Sequence, residues 1–185
     1  SSAASDVYKR QIFWLACYYG FAYHLPSTYS LGKIGLYSGR LRRFFFKHIA
    51  KKCGHHVNIE RHAFFGKGFG IELGNYSDLG IDCHVPNDIK IGDYVMMGPK
   101  CFILPNDTHD ISRLDIPMQQ AGRMVKPGRT IIGSDVWIGR QVLFTGGKHI
   151  GDHCVIGAGS VVTKDVESYA VVGGNPIRVI RYRNK

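Results

Sequence analysis

Nothing in this sequence of 185 residues is long and apolar enough to span a bilayer. The longest uncharged apolar stretch, Ile12 to Tyr23, falls short of the roughly 20 residues a membrane helix needs, and its tyrosines do not suit the apolar centre of a secretion signal. The default compartment is therefore the cytoplasm, and with 44% hydrophobic and 21% charged residues the chain can bury the core of one domain. The five cysteines are odd in number and contain no C-x-x-C pair, which argues against a disulfide framework and a zinc knuckle. A Walker loop and a dinucleotide fingerprint are missing too, although 23 glycines are present. Acids are scarce in one region. None occurs between Asp6 and Glu60, so residues 1–59 hold nine Lys or Arg against one acid and carry most of the net charge of +10. No nucleic-acid-binding motif accompanies that charge, and nucleic acid is not expected as a partner.

What the chain does have is a repeat. From Ile132 to Glu167 it divides into six hexads, IGSDVW, IGRQVL, FTGGKH, IGDHCV, IGAGSV and VTKDVE, each led by a large apolar residue. The next residue runs Gly133, Gly139, Thr145, then Gly151, Gly157, Thr163, so the full period is eighteen. Three unequal hexads describe one turn of a three-sided coil, with apolar residues pointing inward and glycines easing the corners through unusual dihedrals. Stacked coils pair as parallel strands and bury a core that no single coil could form. The same grammar runs through Leu73, Leu79, Val85, Ile91, Met97 and Ile103. A parallel β-helix is predicted over 57–185, with two coils from 73–108, two from 132–167, looser turns from about Ile59 and a short C-terminal tail. An insertion over 109–131 leaves the coil at a corner. Cys83, Cys101 and Cys154 share the fifth hexad position with Ser77, Val95, Val136, Val142 and Ser160, a slot for small buried residues.

Residues 1–56 form a separate basic segment. The opening SSAASDVYKRQ looks like a non-native leader and is left out of the fold. GRLRRFFFKHIAKKCG interleaves Leu41, Phe44, Phe45, Phe46 and Ile49 with Arg40, Arg42, Arg43, Lys47, Lys51 and Lys52, and Gly54 is a helix stop. Such a basic amphipathic helix either caps the open end of the coil or meets an anionic membrane surface or a phosphorylated substrate.

Together with NDTHDISRLDIPM, TIIGSDVWIG, IGAGSVVTKDV and AVVGGNPIRVIR, the hexads resemble the bacterial hexapeptide-repeat acyltransferases, most of all the sugar O-acetyltransferases of the maltose, galactoside and capsule-biosynthesis type. The resemblance covers roughly residues 57–182. It implies a left-handed β-helix, a homotrimer, acetyl-CoA as donor, and active sites between subunits.

Acetyl transfer to a sugar hydroxyl needs a base, and histidine suits that task near neutral pH. His109, at the root of the insertion, is the candidate from both position and resemblance. Relatives often carry asparagine before this histidine where Thr108 stands here. The group that orients the imidazole is left open among Asp107, Asp110 and a backbone carbonyl. The resemblance implies Arg140 as oxyanion donor through its backbone amide, Ala158, Thr163 and Lys164 along the pantetheine arm, and Arg178 and Arg181 at the nucleotide phosphates. Trp137 either lines the acceptor or pantetheine tunnel or covers an outer face. Asp78 falls at an acceptor-contacting position, where relatives usually have asparagine.

The acceptor expected is a sugar or glycan of surface-polysaccharide biosynthesis, nucleotide- or lipid-linked because of the basic segment. N-acetylation of an amino sugar or other small acceptor is the alternative. A zinc carbonic anhydrase on this fold would need a histidine pair five residues apart, whereas His149 and His153 are four apart, so no metal is expected. A non-catalytic scaffold would not need His109 beside Lys164, Arg178 and Arg181.

Overall fold

The computed structural model describes residues 2–185, with side chains from Asp6 onward. From Lys52 the chain winds as a three-faced parallel β-solenoid of about six turns. Face 1 stacks Lys52–Cys53, Glu72–Leu73, Lys90–Ile91, Ile131–Ile132 and His149–Ile150. Face 2 stacks Asn58–Ile59 on Asp78–Leu79, then Met96–Met97, Trp137–Ile138, Val155–Ile156 and Ala170–Gly173. Face 3 runs through Phe64, His84, Phe102–Ile103, Leu143–Phe144 and Val161–Val162. In the two-residue strands the first side chain faces out and the second is buried, as period-two alternation requires.

The predicted inward residues, Leu73 to Val162, are all buried, and so are all eight residues of the small slot. Burial pushes the Cys83 and Cys101 thiols up, and Cys101 donates to the carbonyls of Gly98 and Gly139 at 3.2 and 3.1 Å. Both cysteines are packing residues, and Cys101 also bonds the neighbouring coil.

The glycines differ from expectation. From Gly74 onward the second-position glycines, such as Gly139, are not in the left-handed region; that conformation falls on the fourth hexad position, at Tyr76, Asp82, Tyr94, Lys100, Asp135, Gln141 and His153. Glycine is required for closeness instead. A Cβ on Gly139 would lie 2.5 Å from the nitrogen of Ala158, and one on Gly98 would lie 2.7 Å from that of Arg140. The coils touch backbone to backbone at these corners.

The N-terminal boundary also moves. The solenoid begins at Lys52, so Gly54 lies within the first coil, and helix α2 (Lys33–Ile49) stops at Ala50. The opening segment set aside above is part of helix α1 (Ser2–Gly20), where Gln11 donates to the Ile49 carbonyl at 3.0 Å and Tyr8 packs edge-on to Phe69. Both helices cap the first coil through Tyr18, Phe46 and Ile49, all fully buried. Arg42 was expected on the charged surface, yet it is fully buried. Its guanidinium donates to the carbonyls of Ile59, Pro26 and Leu25 at 2.6, 2.8 and 3.2 Å, and sits 3.7 Å from Glu60. Donation to three carbonyls at the coil mouth, with the Glu60 carboxylate offsetting the charge, outweighs solvation of that one cation. Among the described residues no helix is long and apolar enough to cross a membrane.

The insertion departs earlier than its sequence boundary. The strand Asp107–His109 already pairs antiparallel with Arg123–Val125, with a single helical turn at Met118–Ala121 between them. Asn106 closes the root by donating to the carbonyls of Lys126, Pro127 and Gly128. The tail is not loose either, because Arg178–Tyr182 pairs antiparallel with Ala170–Gly173 and ends face 2.

Because the Gly139 corner has no room for a methyl group, Gly139→Ala is expected to lower unfolding stability by about 2 kcal/mol or more. At exposed, left-handed Lys100, Lys100→Gly is expected to stay within about 1 kcal/mol of the parent. Thermal denaturation of the two variants checks both values.

Candidate active site

The three corners of the solenoid are chemically different. Between faces 1 and 2, third-position side chains cap the backbone of the coil before: Asn75 Oδ1 accepts from the His55 amide, Asp93 from Asn75, Ser134 from Asp93, Asp152 from Ser134 and Ser168 from Asp152. Between faces 2 and 3 the corresponding residues are Pro99, Arg140 and Ala158, which supply no such cap. Among the described residues the amides of Arg140 and Ala158 have no protein acceptor, while their neighbours Gly139, Gln141 and Gly159 are all bonded.

Both residues line an open cleft of about 570 Å³, together with Gly98, Pro99, Trp137, Gly139, Val155, Ile156 and Gly157. Trp137, Arg140 and Ala158 thus line one cleft, and Trp137, 55% exposed, forms one wall. The cleft runs along the coil axis. Its next step is Gly173, bonded through Val172 to Gly157 and paired with Arg178, so Arg178 and Arg181 lie at one end, both exposed.

The third corner, between faces 3 and 1, carries glycine at its second position only in the first coil, at Gly66; Pro86, Leu104, Thr145 and Thr163 stand there in the coils that follow. The arm bearing His109 leaves from this corner, and exposed Thr163 and Lys164 sit on it two coils away. His109 therefore does not line the cleft of its own chain. Neither acidic neighbour holds its ring. Asp107 pairs with Arg123 at 3.3 Å, and Asp110 accepts from the Ser112 amide and hydroxyl at 2.9 and 2.6 Å. The arm exposes Ile111, Leu114, Met118 and Val125, with Leu114 95% exposed. Of the histidines weighed for metal, His153 bonds Asp135 at 2.8 Å and His149 faces outward.

Asp78 lies on face 2, beyond Met96 from the cleft, with its amide donating to Val95. Burial, and secondarily the charge of Glu60, push its carboxyl up to about 6. Pro99, Val155 and the Ala158 amide were missed from sequence. The signal that finds them is the contrast between the Asn, Asp and Ser at third hexad positions of the face 1–face 2 corner and their loss from the face 2–face 3 corner, visible once the insertion is removed from the register.

Residues 129–164 match the family model "Bacterial transferase hexapeptide (six repeats)". The galactoside O-acetyltransferase of Escherichia coli is 33% identical over 145 residues, covering 77% of this chain and 69% of that protein. This chain belongs to the hexapeptide-repeat acetyltransferase family. Its left-handed β-helix aligns with a maltose O-acetyltransferase from Clostridium difficile 630 at a TM-score of 0.71 and 30% identity, over 95% of this chain and 87% of the other. A galactoside acetyltransferase solved in complex with coenzyme A aligns at 0.70 and 25% identity, over 95% and 82%. A chloramphenicol acetyltransferase of Agrobacterium fabrum is 55% identical over 56 residues, 30% of this chain, so this chain spans little more than a quarter of that relative.

The raised value at Asp78 has a sign. Its folded pKa lies above the ordinary 3.8, so its share of stability is complete below about pH 4 and is lost as pH rises through 6. Asp78→Asn cannot ionise and is expected to be more stable than the parent by about 1–2 kcal/mol at pH 7.5, after allowance for solvent screening. The gap should close at pH 4 in parallel denaturant titrations.

Proposed function

We propose that this protein is an acetyl-CoA-dependent O-acetyltransferase acting on a sugar hydroxyl in surface-polysaccharide biosynthesis, assembled as a homotrimer. The carrying observation is the open cleft with two unfilled backbone amides, Arg140 and Ala158. The names of the relatives and the coenzyme A bound by one of them support the same chemistry. In this reading pantetheine lies along the cleft between Trp137 and Ala158, with Thr163 and Lys164 contributed by the adjoining corner and the nucleotide phosphates at Arg178 and Arg181. A groove that ends in cations suits a ligand whose anionic charge is all at one end.

The separation of corners supports the assembly. His109 and the cleft belong to different edges of a rigid prism, and the apolar arm has no cover in its own chain. Laying the arm of one subunit against the face 2–face 3 corner of the next buries those side chains and brings a base to the thioester. His109 then takes the proton of the sugar hydroxyl as its oxygen attacks the acetyl carbonyl. The Arg140 amide stabilises the oxyanion of the tetrahedral intermediate. Collapse breaks the carbon–sulfur bond, and the leaving thiolate takes the proton from the imidazolium. Asp78 is assigned to the acceptor, where a carboxylate pairs with sugar hydroxyls.

His109→Ala is expected to lower turnover by roughly two to four orders of magnitude while leaving assembly and coenzyme A binding intact. Arg140→Ala is expected to be mild, since its amide survives. Single-turnover acetylation of a sugar panel, with light scattering for assembly, decides this; parental turnover in the histidine variant removes it as the base. For the donor end, Arg178→Glu with Arg181→Glu is expected to weaken coenzyme A binding by roughly tenfold or more at low salt, with a smaller effect at high salt. Calorimetric titration against dephospho-coenzyme A locates the phosphate involved.

A further inference from the structure

The N-terminal helices have a second face that capping the solenoid does not use. On the outer side of α2 a cleft of about 520 Å³ is lined by Arg40, Arg43, Phe44, Lys47, His55 and His56. Beside it a second cleft, of about 560 Å³, is lined by Lys9, Arg10, Phe13, Trp14 and His48. Phe44 and His48, one helical turn apart with ring centroids 4.7 Å from each other, form the ridge between the two, and Trp14 packs on both rings at 5.6 and 4.7 Å.

Three features single this face out. Lys9, Arg10, Arg40, Arg43 and Lys47 cluster along the two adjoining clefts, and among the described residues none of them makes an ion pair. The stretch has no acid after Asp6 until Glu60, which is buried and engaged with Arg42. Large aromatic side chains stand in water among these cations, with Phe13 59% and Phe44 48% exposed. Unpaired cations around exposed aromatics complement a surface that is anionic at its rim and apolar beneath. A dissolved phosphate would account for the cations but leave the exposed rings without a partner.

We propose that this face of α1 and α2 is a docking surface for an anionic phospholipid bilayer, with the cations on lipid phosphates and Phe13 and Phe44 entering the acyl boundary. Binding is peripheral and reversible. The surface is independent of the acetyl-transfer cleft, so the proposal stands or falls apart from the reading of that site.

The test uses the full chain and sedimentation with vesicles of phosphatidylcholine alone or with about a third phosphatidylglycerol. Binding is expected with phosphatidylglycerol only, and is expected to be largely lost near 0.5 M salt, where charges are screened within a few ångströms. Arg40→Gln/Arg43→Gln/Lys47→Gln is expected to weaken partitioning by roughly a hundredfold. Phe13→Ser/Phe44→Ser is expected to weaken it at unchanged charge, with melting temperature and subunit number as in the parent. Absence of binding to phosphatidylglycerol vesicles at low salt overturns the proposal. So does capture of inorganic phosphate or a short oligonucleotide as tightly as vesicles, or dissociation of the assembly in the phenylalanine variant, which assigns the face to another copy of the chain.

Discussion

Everything in this molecule depends on how closely one coil can lie on the next. Two-residue strands pair across the roughly 4.8 Å ladder spacing, and the corners between them must close to the same distance. There is no room at Gly98 or Gly139 for a Cβ, because the backbone of the next coil occupies its place. The inward stack of Leu, Ile, Val, Met and Phe follows, since each residue then lies over its counterpart and the core is continuous from the helical cap to Val172. A residue in the left-handed region at the fourth position turns the chain, and those outward side chains build ladders of their own, such as Tyr76 on Tyr94 with ring planes 1° apart.

The same closeness creates the candidate site. Where third-position Asn, Asp and Ser side chains reach the coil before, the corner amides are satisfied and the edge is inert. Where Pro99, Arg140 and Ala158 replace them, amides remain open in a groove that runs the length of several coils. The stacked coils hold the edges apart, so His109 and the cleft stand on different corners of the chain. The largest deviation from the repeat is the arm; smaller ones are the first coil, where Lys52 pairs with Glu72 twenty residues on, and the last, where Ile150 bridges Val166 sixteen residues on.

The helical segment shows how one amphipathic sequence divides its charges. Arg42 is drawn inward by three backbone carbonyls and Glu60 at the coil mouth, where burial pulls its pKa down. Arg40, Arg43 and Lys47, on the other side of the same helix, line an outer cleft with Phe44, His55 and His56 and have no carboxylate partner among the described residues. Capping and surface recognition are therefore properties of two faces, where the pattern of alternating cations and phenylalanines suggested a choice between them.

The sequence by itself determined the period, the inward residues, the small-residue slot and the position of His109 on an insertion. Each follows from burial along a local pattern, and a hexad states that pattern every six residues. The tertiary structure decided what the glycines are for, which amides stay open, where the insertion leaves, and that Arg42 is buried. None of these is local: each depends on which atoms the neighbouring coil or helix sets opposite a given residue, eighteen or more positions away and across an insertion that breaks the count. Residues 2–11 show the same limit, since their helix is held by contacts with Ile49 and Phe69 that no periodicity within those residues records.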